Sequence, residues 1–135
     1  EGMPLMYNGQ EAGNPRRLAF FEKDPIEWRE HPLGALYRRL FALKKSHTAL
    51  WNAPWGARMI PVPNTVPAHV FSFVRQNEAD KIFAVFNFSA QPQMVSFAEH
   101  LHHGIYRDFR SGEQAVFDAD SVLRLAPWDF GVYVR

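Results

Sequence analysis

The stretch HVFSFVRQNEADKIFAVFNF, residues 69–88, contains two apolar segments separated by a short polar run. In a strand, successive side chains point to opposite faces. The first segment then places Phe71 and Phe73 on one face and Val70, Ser72 and Val74 on the other. The second places Ile82, Ala84, Phe86 and Phe88 together on one face. Two such segments joined by a polar turn predict a pair of antiparallel strands with one face in a core.

Similar short β-rich runs occur on both sides of this pair, about ten residues apart. They cover residues 57–62, 93–97, 105–109, 114–118, 121–125 and 130–134. Even spacing without intervening helices is typical of an antiparallel sandwich. The predicted fold class is therefore mainly β, an antiparallel Greek-key β-sandwich over residues 56–135.

The first fifty residues have a different pattern. Residues 3–7 read as a short buried strand, and Asp24 followed by Pro25 predicts a short helical turn. A helix is predicted over residues 32–46 because its apolar residues recur at helical spacing. These residues are Leu33, Leu36, Tyr37, Leu40, Phe41 and Leu43.

Composition excludes several classes of protein. The 135 residues are 47% hydrophobic, which is too apolar for a disordered chain. The formal net charge of +1 gives no electrostatic case for binding nucleic acid or an anionic membrane. With no cysteine, disulfides and cysteine-ligated zinc are excluded. We expect neither a signal peptide nor a membrane span, and the cellular compartment stays open.

The opening segment GMPLMYNGQE, residues 2–11, resembles a motif of the alpha-amylase family, glycoside hydrolase family 13. In that family, Gly-x-Pro-x-x-Tyr-x-Gly-x-Glu marks the eighth strand of a (β/α)₈ barrel. The matching residues are Gly2, Pro4, Tyr7, Gly9 and Glu11. The resemblance implies that residues 1–50 form the end of the catalytic barrel, its last strand, loop and helix. Residues 56–135 would be the C-terminal β domain of such an enzyme.

The resemblance also implies a function for the larger enzyme. Retaining glycosidases use two carboxylates about 5–5.5 Å apart, and in this family the catalytic carboxylates come from barrel strands before residue 1. We therefore expect no catalytic residue in this chain, and we expect Glu11 to bond to neighbouring loop backbone. The expected role is structural, with the catalytic barrel as partner and an α-glucan or oligosaccharide as the enzyme's substrate. Hydrolysis, transfer and isomerisation all stay open.

No cofactor is expected in this chain, and calcium binding by the larger enzyme stays open. HLHH, which contains His100, His102 and His103, resembles a metal-binding tract, but we expect no carboxylate to complete a ligand set there. We interpret these side chains as loop histidines.

Four residues are candidates for contact with substrate. Asn8 and Arg17 follow the predicted barrel strand and are expected to line the cleft. Trp51 and Trp55 offer rings for stacking on sugars, although tryptophans at such a position more often seal a junction between domains. Trp128 is expected to cap the sandwich core.

Two alternatives to a structural role remain. A carbohydrate-binding module would hold starch on exposed aromatic rings without catalysis. An interaction domain would dock on a partner through residues 3–7 and 32–46. Because a barrel strand and the apolar stripe of a barrel helix would lack their partners in a truncated chain, we expect the chain to associate with itself through residues 3–7 and 33–43, or to fold that segment back on the sandwich.

Overall fold

A computed structural model describes residues 2–52 and 54–135 of the chain. The chain divides into two compact units, Gly2–Ser46 and His47–Arg135, and each is described by itself. Within the described residues, no helix is both long enough and apolar enough to cross a membrane.

The first unit contains a short 3₁₀ helix, Gln10–Ala12, and one α-helix, α1, Pro32–Ser46. The predicted helix is confirmed. Gly34 lies in its first turn, and a Cβ there would come within 3.1 Å of the Glu11 carbonyl oxygen. The absence of a side chain at Gly34 therefore lets α1 approach the 3₁₀ helix closely.

Two local predictions for this unit differ from the structure. Residues 3–7 form no strand, since none of the described segments pairs with them. A lone extended segment has no ladder hydrogen bonds to define it. Residues 24–28 are not helical either, because Asp24 uses its carboxylate to bind the preceding loop rather than to cap a helix.

The second unit contains eight strands, one for every β-rich run in the sequence. They are β1 Met59–Pro61, β2 Val70–Gln76, β3 Lys81–Asn87, β4 Gln93–Ser96, β5 Gly104–Asp108, β6 Gln114–Phe117, β7 Val122–Leu125 and β8 Phe130–Val134. A 3₁₀ turn, Thr48–Leu50, precedes them.

The strands form two sheets whose pairings are all antiparallel. Six strands make the larger sheet in the order β1-β2-β3-β8-β5-β6, and β4 pairs with β7 in the smaller one. The last strand, β8, lies between β3 and β5, so strands that are far apart in the sequence are neighbours in the sheet, as in Greek-key folds. The predicted sandwich is confirmed.

The core lies between the sheets and is centred on Phe83 of β3, which is fully buried. Its ring meets those of Phe97 and Phe117 edge to face, each at 5.1 Å between centroids, and stacks on Tyr133 at 6.0 Å. Aromatic pairs in these geometries contribute beyond their buried area. Val95 and Leu125 of the small sheet close the cluster from the other side.

Replacing Phe83 with alanine should destabilise the sandwich by about 3–5 kcal/mol, because the change leaves a cavity that its neighbours cannot fill. Urea unfolding followed by circular dichroism measures this loss. Phe88→Ala is the matched control, since Phe88 is exposed and its loss should cost less than about 0.5 kcal/mol. Equal losses for the two variants would contradict this description of the core.

Candidate functional site

A polar network holds the loop that follows the 3₁₀ helix of the first unit. Arg16 Nη2 lies 3.3 Å from Asp24 Oδ1 and donates to the Pro25 carbonyl at 3.4 Å. The backbone N–H of Ala19 donates to Asp24 Oδ2 at 2.9 Å. Asn14 Oδ1 accepts from the backbone N–H of Arg16 at 3.2 Å. One carboxylate therefore fixes both ends of the segment 16–25.

This segment borders an open cavity of about 650 Å³. Its lining residues are Tyr7, Arg17, Leu18, Ala19, Phe20, Phe21 and Glu22. Of the two loop residues predicted to meet substrate, Arg17 lines the cavity and Asn8 does not. The two phenylalanines were not predicted, although adjacent aromatic residues in a polar loop are a signal that the sequence carries.

Trp51 and Trp55 lie in the second unit, at the ends of a turn held by Arg75. The guanidinium of Arg75 donates from Nη2 to the Trp51 carbonyl at 2.7 Å and from Nε to the Ala57 carbonyl at 2.8 Å. A Cβ at Gly56 would overlap the Trp51 carbonyl, so the turn needs glycine there. Trp55 is 74% exposed. The predicted substrate residues thus fall in two units, and their contact with sugar stays a prediction.

The outer face of the large sheet carries five phenylalanines, which we call the aromatic face: Phe71, Phe73, Phe86, Phe88 and Phe130. Ring centroids are 6.0 Å apart for Phe73 and Phe86, 6.0 Å for Phe86 and Phe88, and 6.2 Å for Phe86 and Phe130. These three pairs are stacked. The predicted division of β2 into a Phe71/Phe73 face and a valine face is confirmed, since the valines are buried and Phe71 is exposed.

Charged groups border one end of the aromatic face. The Arg110 guanidinium lies 5.0 Å from the centre of the Phe130 ring and 2.7 Å from Asp129 Oδ1. Burial alone would raise the pKa of Asp129, but hydrogen bonds from Arg110 and from backbone outweigh it and lower that pKa. The carboxylate is therefore charged and holds Arg110 over the ring.

Trp128 does not cap the core, and that prediction is wrong. The residue is 66% exposed and has a positive φ of 58°, in the turn that leads into β8. The backbone N–H of Trp128 donates to the Ser89 carbonyl at 3.1 Å. A left-handed backbone is uncommon for a bulky residue and costs free energy. The turn therefore exposes the indole to solvent instead of burying it.

Glu11 follows the predicted barrel strand and lines a second cavity of about 560 Å³, with Arg29, His31 and Arg38 among the other lining residues. Its Oε2 atom is buried and has no hydrogen-bond partner among the described residues. The structure thus shows no backbone hydrogen bond to this oxygen, contrary to expectation. Arg29 binds the adjoining backbone instead. Its Nε donates to the Ala12 carbonyl at 3.1 Å and its Nη2 to the Gly13 carbonyl at 3.2 Å.

His102 is a core residue, and sequence reasoning missed this. Its ring is 0% exposed and lies 5.0 Å from Phe97 and 4.6 Å from His103, centroid to centroid. Neither ring nitrogen has a hydrogen-bond partner within the part of the chain that the structure describes. No cluster of three or more metal-ligating side chains occurs in residues 2–52 and 54–135.

Burial lowers the pKa of His102 below its ordinary value, and repulsion from His103 and Lys81 acts in the same direction. The Asp118 carboxylate favours the charged form without reversing the shift. The folded protein therefore holds His102 neutral among aromatic rings.

Comparison with known proteins identifies the family. The family model of the Maltogenic Amylase, C-terminal domain, matches residues 62–132, more than half of the chain. The chain belongs to this family. A sequence comparison with curated proteins gave no match.

Solved structures share the fold at low identity. A mutant of the trehalulose synthase MutB, from crystals soaked with trehalulose, has a TM-score of 0.59 at 19% identity, over 95% of this chain and 20% of that one. An AmyP mutant in complex with maltotriose gives 0.61 at 17% identity, over 76% of this chain and 20% of that one. An isomaltulose synthase mutant from Erwinia rhapontici, in complex with D-glucose, has a TM-score of 0.57 at 22% identity. The match covers 76% of this chain and 17% of that one. The chain thus spans about a fifth of the length of these proteins.

The stability of the sandwich should fall as the pH drops below about 6.5, the ordinary pKa of histidine. Between the lowered pKa of His102 and that value, the unfolded chain binds more protons than the folded one, so stability rises with pH. Urea unfolding between pH 7.5 and 5 measures the slope, and His102→Leu should make it shallower.

His100→Leu is the matched control, since His100 is exposed and the slope should be retained. Asp80 and Asp129 have lowered pKa values. Their contribution to stability is therefore lost at a pH below the range measured here and does not add to this slope. An unchanged slope in His102→Leu would show that the buried ring is not its source.

Proposed function

We propose that this chain is the C-terminal part of a retaining α-glucan-acting glycosidase of the alpha-amylase family. The sandwich stabilises the catalytic barrel and supplies no catalytic residue. The larger enzyme acts on an α-glucan or oligosaccharide. The family match to the C-terminal domain of maltogenic amylase supports the proposal, as do solved relatives whose crystals contain maltotriose, trehalulose or glucose.

The aromatic face is the observation that carries this proposal. Monomeric proteins rarely expose contiguous apolar patches unless the patch binds something. Here stacked rings extend from partly buried Phe86 to Phe88, which is 63% exposed. A sandwich needs only one apolar face per sheet for its own core. The second apolar face is therefore suited to docking on another body.

We assign the catalytic barrel as the occupant of the aromatic face. The segment that resembles the last barrel strand, residues 2–11, and helix α1 precede the sandwich in the same chain. The apolar stripe of α1 provides no buried residue in this structure, and Phe41 on it is exposed. Both features suit pieces of a barrel that the rest of the larger enzyme completes.

A starch-binding module is the second candidate. The exposure of Trp55 favours it, because an exposed indole offers its apolar face for stacking on a sugar ring. Under this alternative, Trp51 and Trp55 bind glucan and the aromatic face needs no barrel.

Phe88→Lys should distinguish a docking face from a free surface. In the chain alone the substitution should change the free energy of unfolding by less than about 0.5 kcal/mol, since Phe88 is exposed. In the full-length enzyme the substitution would bury a charge at the interface and should therefore lower the temperature of half-inactivation by several degrees. Each kcal/mol of unfolding free energy that is lost corresponds to roughly 2–4 °C. Thermal inactivation of glucosidase activity measures the difference.

Met94→Lys provides the control, because Met94 is similarly exposed but lies on β4 of the small sheet. It should leave both the free energy of unfolding of the chain and the temperature of half-inactivation of the full-length enzyme unchanged. If Phe88→Lys and Met94→Lys behave alike in the full-length enzyme, the aromatic face does not support the barrel.

A further inference from the structure

One segment of the second unit is tied to the hairpin of β2 and β3 by polar groups. We call this segment the strap, residues 47–52 and 54–57, and its 3₁₀ turn contacts both strands. Asp80, which directly precedes β3, accepts at Oδ2 from the Thr48 hydroxyl at 2.7 Å and from the Ala49 N–H at 3.3 Å. Asn77 Nδ2 donates to the same hydroxyl oxygen at 2.8 Å. The turn of the hairpin therefore binds the first residues of the strap.

The same hairpin also binds the other end of the strap. Arg75 of β2 donates to the carbonyls of Trp51 and Ala57, as described above. The two ends of the strap bind each other as well, since the Ala57 N–H donates to the Ala49 carbonyl at 3.1 Å. Because the ends are joined, a change at the Asp80 end is passed to the Arg75 end.

The strap contributes little to the apolar core. Of its described residues only Ala49 is buried, and the indoles of Trp51 and Trp55 are exposed. Segments with few buried apolar contacts open at a lower cost in free energy than core strands do. The strap can therefore leave the hairpin while Phe83 and the rings around it stay packed.

The Asp80 carboxylate is charged where it binds the strap. Burial alone would raise the pKa of Asp80, but the hydrogen bonds from Thr48 and Ala49 outweigh it and lower that pKa. Hydrogen bonds to an ionised acceptor are roughly twice as strong as those between neutral groups. Two such bonds converge on one oxygen of Asp80, so this side chain is the main tie at its end of the strap.

We propose that the Asp80 carboxylate latches the strap on the hairpin, and that the strap opens and closes as one unit while the sandwich stays folded. The strap follows α1 directly in the chain, so its opening frees the whole connection between α1 and β1. Trp51 and Trp55 both lie on the strap. A molecule that binds the two indoles in their closed positions would therefore shift the strap toward the closed state.

Amide hydrogen exchange, followed by NMR on the complete 135-residue chain, measures the opening. Asp80→Ala should speed the exchange of the Ala49, Trp51 and Ala57 amide protons by a common factor of at least about ten. A hydrogen bond to a charged group shifts an equilibrium by about that factor or more. The Trp51 and Ala57 N–H groups donate to backbone carbonyls and not to Asp80, so their change reports opening of the whole strap. The ladder amides of β2 and β3 should exchange as in the wild type.

Glu78→Ala is the matched control, because Glu78 is an exposed carboxylate in the same turn with no hydrogen bond or ion pair among the described residues. It should leave all of these exchange rates unchanged. Thr48→Val removes the strap's side of the latch without altering the hairpin, and it should speed exchange of the same three amides. The double variant with Asp80→Ala should gain less than the product of the two single effects, since both changes break one hydrogen bond.

Faster exchange at Ala49 alone would overturn the proposal, because Asp80 would then close one hydrogen bond and not a unit. Equal acceleration in the β2 and β3 ladders would overturn it as well, since the strap would then open only when the sandwich unfolds. Unchanged rates in Asp80→Ala would show that the carboxylate does not latch the strap.

Discussion

The structure of the second unit depends on β3, the strand that is apolar on both faces. On its inner face, Phe83 packs against the rings of Phe97, Phe117 and Tyr133 and lies at the centre of the core. On its outer face, Phe86 stacks on Phe73, Phe88 and Phe130. A strand that is apolar on both faces is typical of one packed on both sides. The core of the sandwich covers the inner side, and the outer side of β3 forms part of the aromatic face.

The sequence predicts most of this architecture because its signals are local. Period-two alternation and turn residues located all eight strands, and the apolar stripe after Pro32 located α1 at its observed bounds. Residues 3–7 could not form a strand because strand structure requires a partner, which no local pattern supplies. Asp24 was misread because the same side chain that caps helices also binds loop backbone.

The candidate sites were harder to predict because they depend on tertiary placement. His102 stands in a run of histidines that reads as a polar loop, yet the fold buries it against Phe83 and Phe97. Trp128 reads as a core residue, yet a left-handed backbone turns it into solvent. Residue type gave the right chemistry in these cases and the wrong environment.

The central claim is that the aromatic face is covered by the catalytic barrel of a larger enzyme. Hydroxyl-radical footprinting, read by mass spectrometry, measures this directly on the chain alone and on the full-length enzyme. We expect oxidation of Phe71 and Phe88 to fall several-fold in the full-length enzyme, while oxidation of Met94 on the small sheet is unchanged. Equal oxidation of Phe88 in both proteins would contradict it.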